Sequence, residues 1–221
     1  MQTTTDTTTT PALDADDPRA TFGRAVAIGT AIVAAVRDDQ LDLPTPCSEM
    51  DVRALLAHLR SVLDRVTALG RGADPCAVVD VTLGPDRLGE WTEAAHRVQA
   101  AWSDDAVLTR PMELPWQQGT GADLLLGYVN EVIVHTWDLA AATGQHPEWD
   151  DDMVQTALDR MPALPAEGRR EMFEQISADM GLPEPAMPFA EIVPVADGAP
   201  AMTRLVGWNG RDPGWSSIAP D

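Results

Sequence analysis

The segment from about residue 122 to residue 143 constrains the fold more than any other part of the chain. Hydrophobic residues surround the helix that this segment predicts on nearly every side. They are Leu124, Leu125, Leu126, Val129, Val132, Ile133, Val134, Trp137, Leu139 and Ala140. A helix that is apolar all round is buried at the centre of a protein. The rest of the chain is therefore expected to pack around it, and Gly144 is expected to end it.

Three further segments have apolar residues at helical spacing and predict long helices around the central one. They lie near residues 18–38, 49–69 and 86–102. Asp17 and Pro18 are typical of a helix start, and Ser48 with Asp51 resembles a capping box. Shorter helices are expected at about 150–161, 167–179 and 200–208. The pattern predicts an all-α protein.

The segments between these helices predict the domain organisation. The threonine-rich residues 1–16 have little apolar surface to bury and are expected to form a disordered tail. Residues 17–221 are expected to form a single helical domain, with a core at about 18–144 and a C-terminal extension at about 145–221. Residues 71–85 predict a loop with a short strand at 77–81. Residues 103–121 predict a long connection, and long loops are often functional.

The charged residues exclude several classes of function. All 15 basic residues are arginine, and 35 acidic residues give a net charge of −20. This balance argues against nucleic acid and an anionic membrane as partners. The absence of lysine excludes a Schiff base or a P-loop on this chain. The longest apolar stretch, from Ala25 to Val36, is too short to span a bilayer.

The two cysteines, Cys47 and Cys76, are too few for a disulfide framework or a four-thiolate zinc site. They are expected to be reduced, and the protein cytoplasmic. Cys47 is a candidate nucleophile, although a small buried side chain is the commoner role for such a cysteine.

Polar residues on the central helix indicate where chemistry could occur. Glu131, His135 and Asp138 share one face of it, and burying such groups without compensation is costly. His58 lies within the apolar face of the second helix and also needs a partner. A divalent metal bound by His58, Glu131 and His135 would satisfy all three, with Asp138 orienting a ligand or a bound water. A polar network closed by hydrogen bonds is the alternative.

The other candidate polar residues are expected to be structural. His96 lies off the apolar face of its helix and His146 lies in a loop, so both are expected to be exposed. Tyr128 shares the face of Glu131 and is expected to be a packed ring whose hydroxyl is hydrogen-bonded.

Three motifs together resemble one protein family. The run from Glu131 to Gly144 reads EVIVHTWDLAAATG and resembles the signature of the mycothiol-dependent maleylpyruvate isomerase family, in the DinB-like superfamily. The residues TPC from Thr45, and DVRALLAHL from Asp51, resemble that family's first motif. The ending GRDPGW from Gly210 resembles a poorly characterised subgroup of metal-binding proteins.

The resemblance implies a fold and a metal. The fold is a DinB-like four-helix bundle with an up-down-down-up course, followed here by short C-terminal helices and an irregular tail. The metal is divalent and most often zinc, with iron or nickel as alternatives. His58, Glu131 and His135 would hold it, and water would complete the site.

The resemblance also implies an activity. A low-molecular-weight thiol such as mycothiol would act as cosubstrate, and the protein would be a transferase or isomerase for a small electrophilic substrate. Asp138 could then serve proton transfer, and Arg211 could hold a substrate carboxylate if the tail folds over the site. A homodimer is a further expectation. Two other functions stay open: a non-catalytic metal-containing binding module for a small molecule or a protein, and a non-haem iron oxygenase.

Overall fold

The computed structural model describes residues 13–14, 17–79, 81–160, 165–179, 181 and 190–216. The predicted disordered tail, residues 1–16, therefore lies almost wholly outside the described residues. The helices are α1 (Pro18–Ala35), α2 (Val52–Gly70), α3 (Arg87–Ala101), α4 (Asp105–Thr109), α5 (Gly121–Thr143), α6 (Asp151–Arg160), α7 (Arg169–Asp179) and α8 (Ala201–Trp208). The two strands are β1 (Pro111–Leu114) and β2 (Gln117–Thr120).

Helices α1, α2, α3 and α5 form a four-helix bundle in which α1 and α2 lie on opposite corners, each packed against both α3 and α5. Arg60 on α2 bonds the carbonyl of Glu90, and Trp102 at the end of α3 bonds that of Val66, so α2 and α3 run in parallel. Trp91 bonds Thr30 of α1.

The tryptophan at the end of α3 also accepts, through its carbonyl, a hydrogen bond from Arg19 at the start of α1. Helix α1 therefore runs against α3. It runs parallel to α5, because Gly29 lies near Thr136, and Gln145, just beyond α5, bonds the carbonyl of Ile32. The course is up-down-down-up, as predicted for the all-α DinB-like class.

Side-chain caps fix the ends of the two helices that carry the candidate site. Asp51 caps α2, since its side chain accepts from the backbone N–H of Ala54. The prediction that Ser48 begins this helix was wrong. Asp51 itself precedes the first helical residue, and it pairs with Pro44 in an isolated antiparallel β-bridge. Helix α5 begins with a capping box of Thr120 and Asp123. It ends as predicted at Gly144, whose φ of 70° suits glycine best.

Two predictions between the helices need correction. Residues 103–121 are not a plain connection but hold α4 and an antiparallel hairpin of β1 and β2, with Pro111 opposite Thr120. The expected strand at 77–81 is wrong: a 3₁₀ turn covers Pro75–Ala77, and the described residues among 78–81 belong to no strand.

The C-terminal extension packs on the bundle through two of its short helices. Helix α6 contacts α5 and α8, and α8 in turn contacts α5. Beyond α8, residues 209–211 fold back against α5, where Asn209 and Arg211 are buried. None of the helices in the described part of the chain has the length and apolarity that a membrane span requires.

Candidate metal centre

The bundle brings His58, Glu131 and His135 together, as the sequence predicts. Nε2 of His58 lies 3.2 Å from Oε1 of Glu131, and Nε2 of His135 lies 3.7 Å from the same oxygen. One ligand atom from each residue falls within 4.8 Å of the other two. This spacing is close enough for three side chains to share one cation.

Helical geometry explains the convergence. Glu131 and His135 are one turn apart on α5 and therefore lie on the same face. His58 reaches them from α2, where Leu55, Leu59 and Val62 around it are fully buried against the core. Packing of that apolar face thus turns the imidazole of His58 toward α5.

The site is open on one side and closed on the other. The side chains of His58 and Glu131 are 14% and 15% exposed, whereas those of His135 and Asp138 are 0% exposed. Among these four residues, His58 and Glu131 therefore form the side from which a small molecule can approach.

His135 distinguishes a metal site from a closed polar network. Its Nε2 is buried and has no hydrogen-bond partner among the described residues. His58 and Glu131 satisfy each other, but that contact leaves the fully buried imidazole nitrogen unpaired. Such an atom is costly unless it binds something. The site offers two imidazoles and a carboxylate, and Nε2 of one imidazole lacks a partner. This set fits a divalent cation of the zinc or iron type.

Asp138 orients the histidine. Its Oδ2 lies 2.9 Å from Nδ1 of His135, and a carboxylate can only accept at that distance, so Nδ1 carries the proton. The lone pair of the neutral ring is then on Nε2, the atom nearest Glu131. The structure thus places Asp138 where the sequence predicted an orienting carboxylate.

Charge and burial set the protonation states. Burial lowers the pKa of His135, although its hydrogen bond to Asp138 opposes the shift. Burial raises the pKa of Glu131, but the hydrogen bond from His58 and the nearby positive charges prevail and hold it below its ordinary value. At neutral pH the site therefore presents an ionised carboxylate beside a neutral imidazole, the forms that bind metals.

Arg211 neutralises the buried Asp138. Its Nη2 lies 3.1 Å from Oδ2 of Asp138, and its Nε lies 3.3 Å from both carboxylate oxygens. The expectation that Arg211 binds a substrate carboxylate needs correction, because its guanidinium already pairs with Asp138. Sequence reasoning considered a tail folded over the site only as a condition and missed this partner.

An amide pair fixes the same tail to α5. The side chains of Asn130 and Asn209 exchange two hydrogen bonds of 3.0 Å, and both residues are buried. The sequence analysis did not single out either residue. Asn130 interrupts the apolar residues of the central helix, and that interruption is the signal that could have found it.

A comparison with protein families decides what kind of chain this is. The model of the mycothiol maleylpyruvate isomerase N-terminal domain matches residues 22–140. The chain belongs to this family. The matched range holds His58, Glu131, His135 and Asp138, but it ends before the tail that carries Arg211.

Two relatives extend the similarity over most of the chain. They are the uncharacterized proteins Rv0738 and MT0763 from two strains of Mycobacterium tuberculosis, H37Rv and CDC 1551. Each is 30% identical over 200 residues, which is 88% of this chain and 98% of the relative. No solved structure matches the chain.

Cys47 adds a thiol beside the cluster of histidines and carboxylates. It is buried, and its sulfur lies within 4.8 Å of a ligand atom of His135 and one of Asp138. Burial raises the pKa of the Cys47 thiol to about 11, although Arg211 opposes the shift. The interpretation of Cys47 as a buried side chain is confirmed, but its closeness to His135 was not predicted.

The remaining candidates behave mostly as expected. His96 and His146 are exposed. Tyr128 is buried, as predicted, but the prediction that its hydroxyl is bonded was wrong: no partner lies within reach among the described residues. Burial raises the pKa of Tyr128 above its ordinary value, so the hydroxyl stays protonated at neutral pH.

Proposed function

We propose that the chain binds one divalent metal ion through His58, Glu131 and His135, and uses the site to promote the reaction of a low-molecular-weight thiol with a small electrophilic substrate. Mycothiol is the thiol that the family's description supplies. Zinc is the metal we expect, since two imidazoles and a carboxylate suit it and leave a position for a further ligand.

One observation carries this proposal: the unpaired, fully buried Nε2 of His135 beside an ionised Glu131. A structural network would bond that nitrogen to a donor from the protein. A metal bound at Nε2 would remove the cost of leaving it unpaired. Because the ring's other nitrogen donates to Asp138, the lone pair is already in the position that coordination needs.

In this proposal the residues around the site have different roles. His58 and Glu131 form the accessible side, where a thiol and its substrate would enter, and His135 forms the buried wall. A divalent cation in this position would lower the pKa of a bound thiol, so that thiolate is present at neutral pH. That thiolate would attack an electrophilic carbon, either displacing a leaving group such as halide in a transfer or breaking the π bond of a carbon–carbon double bond in an addition. In an isomerisation, rotation about the resulting single bond would be followed by expulsion of the thiolate, which restores the double bond.

Proton transfer cannot depend on Asp138 in this proposal. The carboxylate is fully buried, bonded to His135 and paired with Arg211, so it reaches neither solvent nor substrate. With no lysine in the chain, no amine is available for the task. We therefore assign Asp138 to positioning His135, and the proton of the thiol passes to solvent on the open side.

Elemental analysis of the natively expressed protein tests the metal site. We expect about one zinc per chain in the wild type and little in His135→Ala or His58→Ala. His96→Ala is the matched control. Because His96 is exposed on α3, its substitution should leave the metal content unchanged. Full stoichiometry retained in His135→Ala would overturn the ligand assignment.

Thiol conjugation separates an enzyme from a binding module. The purified protein is mixed with mycothiol and either maleylpyruvate, whose isomerisation is followed by loss of substrate at constant thiol, or a halogenated alkylating compound, whose conjugation is followed by loss of both free thiol and substrate. We expect turnover that disappears in Glu131→Gln. Saturable binding of the thiol without product would favour the non-catalytic module, and bound iron with uptake of oxygen would favour the oxygenase.

A further inference from the structure

The tail beyond α8 reaches the candidate metal centre through a contact that the family match does not include. Arg211 is 3% exposed and Asp138 is 0% exposed, and the two are joined by contacts of 3.1 to 3.3 Å. The matched domain ends at residue 140, so this arginine is contributed by the extension. The extension is therefore part of the site's surroundings.

The position of Asp138 determines the state of His135. The carboxylate accepts the Nδ1 proton of the ring, which leaves the lone pair on Nε2. If Asp138 turned away, the ring could rotate or take the other tautomer, and Nε2 would no longer face Glu131. Any residue that holds Asp138 in place thus also holds the ligand atom of His135.

The tail holds Arg211 in turn. Nη1 of Arg211 donates to the backbone carbonyl of Asn209 at 2.8 Å, which leaves Nε and Nη2 directed at Asp138. The side chain of Asn209 is fixed to α5 by its two bonds with Asn130. Both ends of this chain of contacts are anchored on the helix that carries His135. These contacts together hold the guanidinium against the carboxylate.

We propose that Arg211 is a positioning residue of the metal centre, fixing Asp138 so that His135 presents Nε2 to the metal. The inference rests on the proposed function, because it assumes that His135 is a ligand. The contacts of Arg211 that bear on His135 are those with Asp138, and we expect it to act chiefly through this carboxylate. A merely structural arginine would support folding but would leave the affinity and geometry of the metal site unchanged.

Cobalt(II) binding to the full-length protein tests this role, since the visible spectrum of cobalt reports the geometry of its ligands. We compare the wild type with Arg211→Met and Arg211→Lys, and measure affinity by competition with a chelator. Loss of a partner that orients a metal-bound histidine typically lowers affinity about 10- to 100-fold. We expect a loss in that range for Arg211→Met, together with a changed spectrum.

The lysine variant keeps the proposal testable if Arg211→Met does not fold. Lysine retains the charge beside Asp138 but loses the planar fork that contacts both carboxylate oxygens. We expect a folded protein with weaker cobalt binding and an altered spectrum. Arg204→Met is the matched control. Because Arg204 is exposed on α8, this variant should bind cobalt as the wild type does.

A double-mutant cycle shows whether Arg211 acts through Asp138. If it does, Asp138→Asn combined with Arg211→Met loses no more affinity than the more severe single variant. Additive losses would overturn the inference. Wild-type cobalt affinity and spectrum in every Arg211 variant that folds would also overturn the inference. That result would leave the proposed function standing. A wild type that binds no metal at all would instead refute the proposed function, and this inference with it.

Discussion

His58 on α2 donates from Nε2 to Oε1 of Glu131 on α5 across 3.2 Å, although 73 residues separate them in the chain. The two rings of His58 and His135 also meet edge to face, with centroids 4.8 Å apart. The contact depends on how α2 and α5 are rotated relative to each other. Rotation of either helix by one residue would separate the three side chains.

Glu131→Gln should abolish high-affinity metal binding while the protein stays folded. The amide keeps the shape of the side chain but removes the negative charge that attracts the cation. We expect the affinity for zinc to fall by more than about 10- to 100-fold, which is the loss typical when a residue hydrogen-bonded to a metal ligand is removed. Isothermal titration with zinc measures it, and Glu93→Gln on the exposed side of α3 is the control. Unchanged affinity in Glu131→Gln would show that this carboxylate is not a ligand.

Gly29→Ala and Gly23→Ala, both in α1, should change stability in opposite directions. A Cβ at residue 29 would lie 2.9 Å from the ring of Trp91, and overpacking of this kind costs about 1–3 kcal/mol. A Cβ at residue 23 meets nothing within 4 Å, so alanine should stabilise the helix there by about 0.5–1 kcal/mol. Urea unfolding of the two variants measures both. Equal effects would mean that α1 and α3 do not pack closely at Trp91.

Asp123 should make the stability of the protein depend on pH below about 4. Hydrogen bonds from Thr120, followed by the bond from Arg160, lower the pKa of its carboxyl from 3.8 to about 2. A lowered folded-state pKa gives stability that is present above the unfolded value and is lost as the pH falls through the folded one. The side chain is 41% exposed, so we expect about 1 kcal/mol or less at pH 7.

The comparison of the wild type with Asp123→Asn isolates this contribution. The difference between their free energies of unfolding should be constant from pH 7 to about pH 4.5, and should narrow between about pH 4 and pH 2. Urea unfolding over that range measures it. A difference that grows on acidification would contradict the assignment.

Cys47 and Cys76 should differ in their reactivity toward iodoacetamide. Cys47 is buried with its pKa raised to about 11, while Cys76 is partly exposed. In the native protein we expect Cys47 to be alkylated more slowly than Cys76, by about tenfold or more. The reagent has little access to the buried thiol, and little of that thiol is in the thiolate form. Mass spectrometry of native and guanidinium-unfolded samples measures it. Equal rates in the native state would place Cys47 at the surface.

The long helices and the closeness of His58, Glu131 and His135 could be predicted because both depend on helical spacing, whereas the four-helix bundle and its course followed from the family resemblance. The apolar residues of α2 and α5 identify their buried faces, and His58, Glu131 and His135 interrupt those faces. A polar residue in an apolar stripe is visible in the sequence itself. The convergence of the three residues then follows from the packing of two helices.

The hairpin and the tail contacts could not be predicted by the same reasoning. Strands β1 and β2 are four residues each, too short for alternation to be recognised against their prolines and glycines. Arg211 meets Asp138 across 73 residues, and Asn209 meets Asn130 across 79. No local periodicity encodes such pairs. Arg211 meets Asp138 because a buried carboxylate needs a counter-ion, and Asn209 meets Asn130 because buried amides need hydrogen-bond partners. Both are requirements of the folded protein.

The late position of Arg211 has a consequence for biosynthesis. A ribosome makes the chain from its amino terminus, so every helix of the bundle has emerged before this arginine is added. Until then the growing polypeptide contains Asp138 without the cation that neutralises it. A product that ends before residue 211 would therefore lack the guanidinium that pairs with Asp138 in the folded protein.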